Sequence, residues 1–543
     1  ARAGDYYRQA MELVEKGVGR NGAYYRLKEH VEACEKSAGK GLAIAREYYE
    51  VYGRPMLQEK FPQYLDRIAV GLVGRGSDCF GYDDAASRDH DWGPDFCLWV
   101  TEETYAQIGK QLEEAYQDLP EEFKGYRRAP HVNGKNRRGV IVISEFFGEL
   151  TGAKNYEEID WGTVLDSSLA AAVNGEIFRD REGAFTAYRN KLLQGYPGNM
   201  RFLKIAESGA KFAQSAQYNY MRMKRRGDEL TAQVMVWKGI CYAMRLQHYI
   251  ENRYPPHDKW LRRSLEETEA GRELSLLLQQ LMQEISGRQE EKAQDAIERV
   301  GTFFAMELYG MDIISDIEPY LDAHSSELVY KASLAVKTDQ ELVEKIAKLE
   351  FEAFDKVHNE GGRASCQNDW FTFSIMRKSQ YQTWNRTMLM QYLYDFHREY
   401  TLGHNLIEEK YGRMMESTAP EKYEEIKGHF PELTEEKKSI IEQICGMQVG
   451  WMEEFAGEYP ALADNSRSIH TTEDNPFNTS YETYLRGELG TYSDKMLELY
   501  GRYIVDYARN NRNLAYDIML NNVKMYGYGS LEEAEQKTKS SFA

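Results

Sequence analysis

The chain has 543 residues, 42% hydrophobic and 29% charged, the composition of globular domains and too long for one of them. Its apolar runs stop short of the roughly 18 residues that crossing a membrane takes, which excludes a membrane-spanning role. A net charge of −19 opposes non-specific nucleic-acid binding, which depends on neutralising phosphates with Lys and Arg, and six scattered cysteines without a C-x-x-C pair argue against a zinc cluster or disulfide scaffold and for free thiols in a cytoplasm.

In chain order, residues 6–18 and 23–49 carry apolar side chains at helical spacing. The opening residues are polar and helical in character, without the apolar segment of a secretion signal. Three β-like runs follow at 68–73, 95–100 and 139–147, with a helix over 102–119, closed by Pro120, between the last two. These form a small α/β core. From about 151 the pattern is helical almost throughout: 167–172, 184–193, 199–219, 227–252 and 261–299 read as a bundle. Tyr196-Pro-Gly-Asn199 and Tyr254-Pro-Pro-His-Asp-Lys-Trp260 punctuate it. A further helical unit begins near 340 and runs to about 530. The expected fold is α+β and predominantly helical, divided into 1–150 (N-terminal helices and α/β core), 151–335 (helical bundle) and 336–543 (all-α domain).

The chemistry concentrates after the first β-run. Gly71-Leu-Val-Gly-Arg-Gly-Ser-Asp78 ends in a tight turn at Gly76 and Ser77, and Asp89 and Asp91 follow, spaced i, i+2. On a strand, side chains alternate faces, so the two carboxylates point the same way and His90 the other. A glycine turn that opens a helix offers backbone N–H groups to phosphate oxygens, and paired carboxylates hold hard cations. The combination suits Mg²⁺ and a triphosphate. A calcium loop starting at Asp78 fails, because Phe80 and Tyr82 fall where ligands are needed.

This Gly-Ser, Asp-x-Asp pattern resembles the nucleotidyltransferase superfamily, which includes DNA polymerase beta and the aminoglycoside nucleotidyltransferases. The resemblance implies that Gly76 and Ser77 cradle phosphates and that Asp89 and Asp91 bind two Mg²⁺ ions. It also calls for a third carboxylate on a neighbouring strand, as metal ligand or general base. Glu145, the only acid inside the 139–147 run, is expected in that role, with Glu149 and Asp95 competing. Lys259, after a Pro-Pro turn, begins a helix where a cation reaches phosphates; Arg189 and Arg222 are weaker candidates of the same kind.

Residues 70–265 resemble an uncharacterised bacterial nucleotidyltransferase-like family, on Gly76-Ser-Asp78, Asp83-Asp84, Asp89-His-Asp-Trp-Gly-Pro94, Asn174-Gly-Glu-Ile-Phe-Arg-Asp180, Tyr218-Asn-Tyr220, Arg225-Arg-Gly-Asp228 and Lys259-Trp260. Residues 340–535 resemble a second uncharacterised helical family often fused to the first, on Met376-Arg377, Gln380, Trp384, Lys410-Tyr-Gly-Arg-Met-Met415 and Gly487-Glu-Leu489. The function expected is Mg-dependent transfer of a nucleoside monophosphate, AMP from ATP, to a hydroxyl of a small molecule or protein. The alternative is a non-catalytic nucleotide sensor whose C-terminal domain engages a partner.

Other features read more plainly. Met223-Lys-Arg-Arg226 is a basic helix face, ordinarily solvated. Cys366 with His397 or His404 offers a Cys/His nucleophile, and His404 with Glu408 an i, i+4 metal pair; burial and surface hydrogen bonding are the simpler readings. Phe371, Tyr381, Trp384, Met388 and Tyr392 form an apolar stripe at helical spacing, hence core.

Overall fold

The computed structural model describes residues 40–84, 92–128, 137–287, 290–335, 337–357 and 363–542. The chain divides into two compact units, 1–300 and 301–543. The expected helix over 6–18 lies outside the described residues, as does all but the end of 23–49.

The first unit opens with α1 (Gly41–Tyr48), a π-helical turn (Tyr49–Gly53) and α2 (Arg54–Lys60). Its sheet has four strands, β1 (Ala69–Leu72), β2 (Cys97–Val100), β5 (Gly139–Val142) and β6 (Glu176–Arg179), in the order β5-β2-β1-β6. A separate hairpin pairs β3 (Glu122–Phe123) with β4 (Tyr126–Arg127). β1 lies antiparallel to β2 and to β6, and β2 runs parallel to β5 through α3 (Glu102–Gln117). The sheet is therefore mixed. β6 was not foreseen; it sits at the sheet edge, half-buried, and its Glu176-Ile-Phe-Arg179 is short and punctuated by charge.

Alternation divides the sheet's faces. Leu98 and Val100 join Tyr48, Tyr49, Ile108 and Leu112 in one core cluster. On the other face Trp99 stacks on Phe185 with ring centroids 3.9 Å apart and meets Phe146 at 5.5 Å.

The third β-run ends early. After Val142 the chain turns into α4 (Ile143–Thr151), because Phe146, Phe147, Leu150 and Thr151 bury at helical spacing against that aromatic face. Glu145 therefore stands in the first turn of a helix and is exposed. This corrects its expected place inside a strand.

The bundle comprises α5 (Asp166–Val173), α6 (Ala184–Leu192), α7 (Gly198–Phe212) with a π-helical continuation (Ala213–Asn219), α8 (Tyr220–Arg225), α9 (Glu229–Ile250), α10 (Leu261–Leu265) and α11 (Glu269–Ser286). The expected single helix over 261–299 breaks after Leu265. Thr268 caps α11 by accepting the Gly271 N–H at 3.1 Å, and a Cβ on Gly271 would lie 1.9 Å from the Leu265 carbonyl oxygen.

α12 (Glu290–Gly310) leads into the second unit, which is helical: α13 (Ser325–Leu334), α14 (Asp339–Asp355), α15 (Trp370–Tyr381), α16 (Arg386–Thr401), α17 (Leu406–Thr418), α18 (Pro420–Ile426), α19 (Glu435–Glu458), α20 (Pro460–Asp464), α21 (Tyr481–Gly490), α22 (Asp494–Arg509), α23 (Leu514–Met525) and α24 (Leu531–Phe542). Tyr381, Trp384, Met388 and Tyr392 are buried as expected, but Phe371 is exposed. No helix among the described residues is long and apolar enough to cross a membrane.

Candidate functional site

The glycine loop leaves β1 at Leu72. Gly74 and Gly76 have φ of 122° and 128°, conformations that L side chains rarely adopt. A Cβ on Gly76 would also lie 2.4 Å from Asp78 Oδ1. Two groups hold this backbone. Asn174, just after α5, accepts the Gly74 N–H at 2.9 Å and donates to the Gly74 carbonyl at 2.8 Å. Arg138, just before β5, donates to both oxygens of buried Asp78 at 3.1 Å and to the Arg75 carbonyl at 3.4 Å. Burial pushes the Asp78 carboxyl up, and Arg138 counters it. Sequence reasoning missed Arg138; its one signal was a basic residue immediately before a buried strand.

Ser77 is buried. Its carbonyl accepts the Tyr82 N–H at 2.9 Å, and the Asp78 carbonyl accepts the Gly81 N–H at 3.1 Å. The segment after Gly76 is thus a closed turn. It does not open a helix, contrary to expectation, because Asp78 turns inward to Arg138 and Gly81 takes a left-handed φ of 66°.

Asp89 and Asp91 lie outside the described residues. The chain enters that segment at Asp84 and leaves it at Trp92, beside the loop. The Trp92 indole N–H donates to Asp83 Oδ2 at 2.9 Å, and the Gly41 N–H donates to the same oxygen at 2.7 Å. Lys40 pairs with Asp83 Oδ1 at 3.5 Å. A Cβ on Gly41 would meet Asp78 Cβ at 2.4 Å and Trp92 Nε1 at 3.0 Å, so Asp78 and Trp92 both crowd Gly41.

Lys259 comes to this place. It is exposed, 4.5 Å over the Trp260 ring, and Trp260 packs on Phe80 at 4.9 Å and Tyr82 at 6.0 Å. Arg263 donates to the Tyr82 carbonyl at 2.6 Å. Burial and then the charges of Lys259 and Arg75 push the His257 imidazole pKa down, which favours its neutral form, and Arg75 pairs with Glu149 at 3.0 Å.

Arg189 is used differently. It donates to the Val173 and Asn174 carbonyls at 2.6 and 3.2 Å, capping α5 and so supporting Asn174 rather than presenting its charge to the loop. Glu145 lies on the α3 side, where its charge acts on Tyr105. Asp95, its rival, is buried with Tyr116 and Arg128.

Behind the loop runs a polar chain. The Tyr82 hydroxyl donates to Glu267 at 2.5 Å, and Arg253 pairs with Glu267 and donates to Ser264 Oγ at 3.0 Å. Ser264 lies 3.0 Å from His248 Nε2, and His248 Nδ1 donates to the Met244 carbonyl at 2.7 Å. Burial pushes the His248 pKa down to about 4.

The second unit holds a buried charge cluster. Arg377 pairs with Glu350 at 2.8 Å and with Glu488 at 2.9 Å, and Lys410 pairs with Glu488 at 2.8 Å. Tyr381 and Tyr392 each donate to Glu350 at 2.7 Å. Two carboxylates face two cations, all buried. Cys366 is exposed, and no hydrogen bond joins it to a histidine among the described residues. His397 stacks on Tyr330 at 5.1 Å. His404 pairs with Glu399 at 3.0 Å and Glu409 at 2.9 Å, not with Glu408 as expected. Among the described residues no group of three or more His, Cys, Asp or Glu is placed to hold a metal, and the five described cysteines are free.

Residues 161–261 match a family described as a domain of unknown function (DUF4037), and residues 340–536 match one described as a protein of unknown function (DUF4125). No curated protein and no solved structure matches the chain. The first match is narrower than the expected 70–265. It takes in Asn174, Arg189, His257 and Lys259 but not the glycine loop. The second takes in the whole buried charge cluster.

Proposed function

We propose that the first unit is a nucleotidyltransferase that moves a nucleoside monophosphate, AMP from ATP, to a hydroxyl of a small molecule or protein. The observation that carries this reading is the glycine loop itself. Its backbone is locked by Asn174 and Arg138, and exposed Lys259 sits over Trp260, which packs on Phe80 and Tyr82 of the same turn. Preorganised donors and cations in a fixed frame are what a transferring phosphoryl group needs.

Asp78, Asp83 and Asp95, near the loop, do not fit Mg²⁺. Asp78 is engaged by Arg138, Asp83 by Lys40, Gly41 and Trp92, and Asp95 by Tyr116 and Arg128. The resemblance to the nucleotidyltransferases assigns metal binding to Asp89 and Asp91. Bound there, Mg²⁺ would neutralise the charge of the leaving pyrophosphate. The loop's part is to hold the phosphate oxygens, and the part of Lys259 is to offset their charge as a point cation. Glu145 has no part in this assignment.

The test is pyrophosphate release from ATP by the full chain, with wild type, Asp89→Asn and Asp91→Asn compared at matched folding. Loss of release in both variants supports the reading. Undiminished release in both refutes it, and nucleotide binding without release by the wild type would favour the sensor.

A further inference from the structure

Away from the loop, the first unit has a cavity of about 510 Å³ lined by Gln217, Tyr218, Met221, Arg222, Arg225 and Gln294, within the roughly 300–1,000 Å³ of small-molecule sites. The first five come from one continuous stretch in which α7 passes through its π-helical turn into α8. A π-turn inserts an extra residue and recurs at functional sites. Here α9 clamps it: a Cβ on Gly239 would lie 2.6 Å from Ala216 Cβ. With Ala216 held inward, Gln217 and Tyr218 line the cavity.

The lining carries two guanidinium groups and no carboxylate, in a chain with 87 acidic and 68 basic residues. Lys224, between them in sequence, pairs with Glu229 and Glu290. Arg222 and Arg225 make no ion pair among the described residues. Arg222 lies 5.6 Å over the Tyr218 ring, within 3.5 Å of its hydroxyl, and Tyr218 is half-exposed. Gln294 donates to Glu298, yet its buried Oε1 has no hydrogen-bond partner.

Two arginine forks without an acidic partner among the described residues match the oxygens of a phosphate. The open Tyr218 ring offers a stacking face. We infer that this cavity binds a small phosphate monoester that carries an aromatic ring. None of its residues belongs to the glycine loop, so the site stands whether or not the loop transfers nucleotides.

Calorimetric titration of the full chain with 4-hydroxyphenyl phosphate, inorganic phosphate and hydroquinone tests this. The expected result is saturable binding of the phosphate ester, tighter than inorganic phosphate, and none of hydroquinone. Arg222→Gln and Arg225→Gln should each weaken it about tenfold, the worth of one charge-assisted hydrogen bond. Arg226→Gln, next to the lining but outside it, should leave it unchanged. No saturable binding, or unchanged binding in a folded Arg222→Gln/Arg225→Gln double variant, would overturn the inference; the latter would place the phosphate elsewhere.

Discussion

At the scale of single residues, the glycine loop is held by contacts that few side chains can replace. Gly76→Ala adds a methyl group at a φ of 128°, 2.4 Å from the Asp78 carboxylate. Backbone strain of that kind costs about 1–3 kcal/mol. Asn174→Ala leaves both polar groups of Gly74 without their side-chain partner, a loss of about 1–3 kcal/mol for a buried group. Both variants should lower the thermal midpoint and weaken nucleotide binding together. A variant that lowers the midpoint and leaves nucleotide affinity intact would separate the loop from the site.

His248 makes a second residue-scale prediction. Buried neutral with a pKa near 4, against an ordinary value of about 6.5, it refuses a proton that the unfolded chain accepts. Its contribution is fully present above about pH 6.5 and is lost as pH falls toward 4, up to about 3 kcal/mol. His248→Gln should therefore show a shallower fall of stability between those pH values than the wild type. Equal slopes, measured by denaturant titration across the window, would contradict the assignment.

At the scale of elements, the sequence disclosed most where hydrophobic period and chain length agreed. β1, β2 and α3 fall close to their expected places because short continuous apolar runs mark the strands and Pro120 bounds the helix. The 139–147 run misled because Val140-Ile-Val-Ile143 is strand-like while Phe146, Phe147, Leu150 and Thr151 are helix-spaced; tertiary packing on Trp99 and Phe185 decided between them. Arg138, Asn174 and the polar chain from Tyr82 to His248 were not assigned these roles from sequence. Each acts on a residue far away in the chain, such as Gly74 from Asn174, and no local period records such a pairing. The turn at Gly76 and Ser77 was legible because turn chemistry is local.

At the scale of the whole molecule, the two units put their buried charge to different uses. In the second, Glu350, Arg377, Lys410 and Glu488 tie α14, α15, α17 and α21 together. Arg377 and Lys410 hold the Glu488 carboxyl well below the usual range against the pull of its burial. Removing one partner leaves an uncompensated buried charge, at a cost of about 3–5 kcal/mol. Glu488→Ala should unfold the second unit at a much lower temperature, whereas Glu442→Ala, an exposed acid of α19, should change little. Similar midpoints for the two would mean that the cluster does not bind these helices together.

The central claim is that the glycine loop and the two aspartates form one nucleotide site. Thermal unfolding of wild type and the Asp89→Asn/Asp91→Asn variant, with each of the four NTPs and with or without Mg²⁺, tests it most directly. Ligand at about 100 times its Kd adds about 2.7 kcal/mol to stability. The account predicts a Mg²⁺-dependent rise in midpoint with ATP that the double variant loses. An equal rise in the double variant, or none with any nucleotide in the wild type, would contradict it.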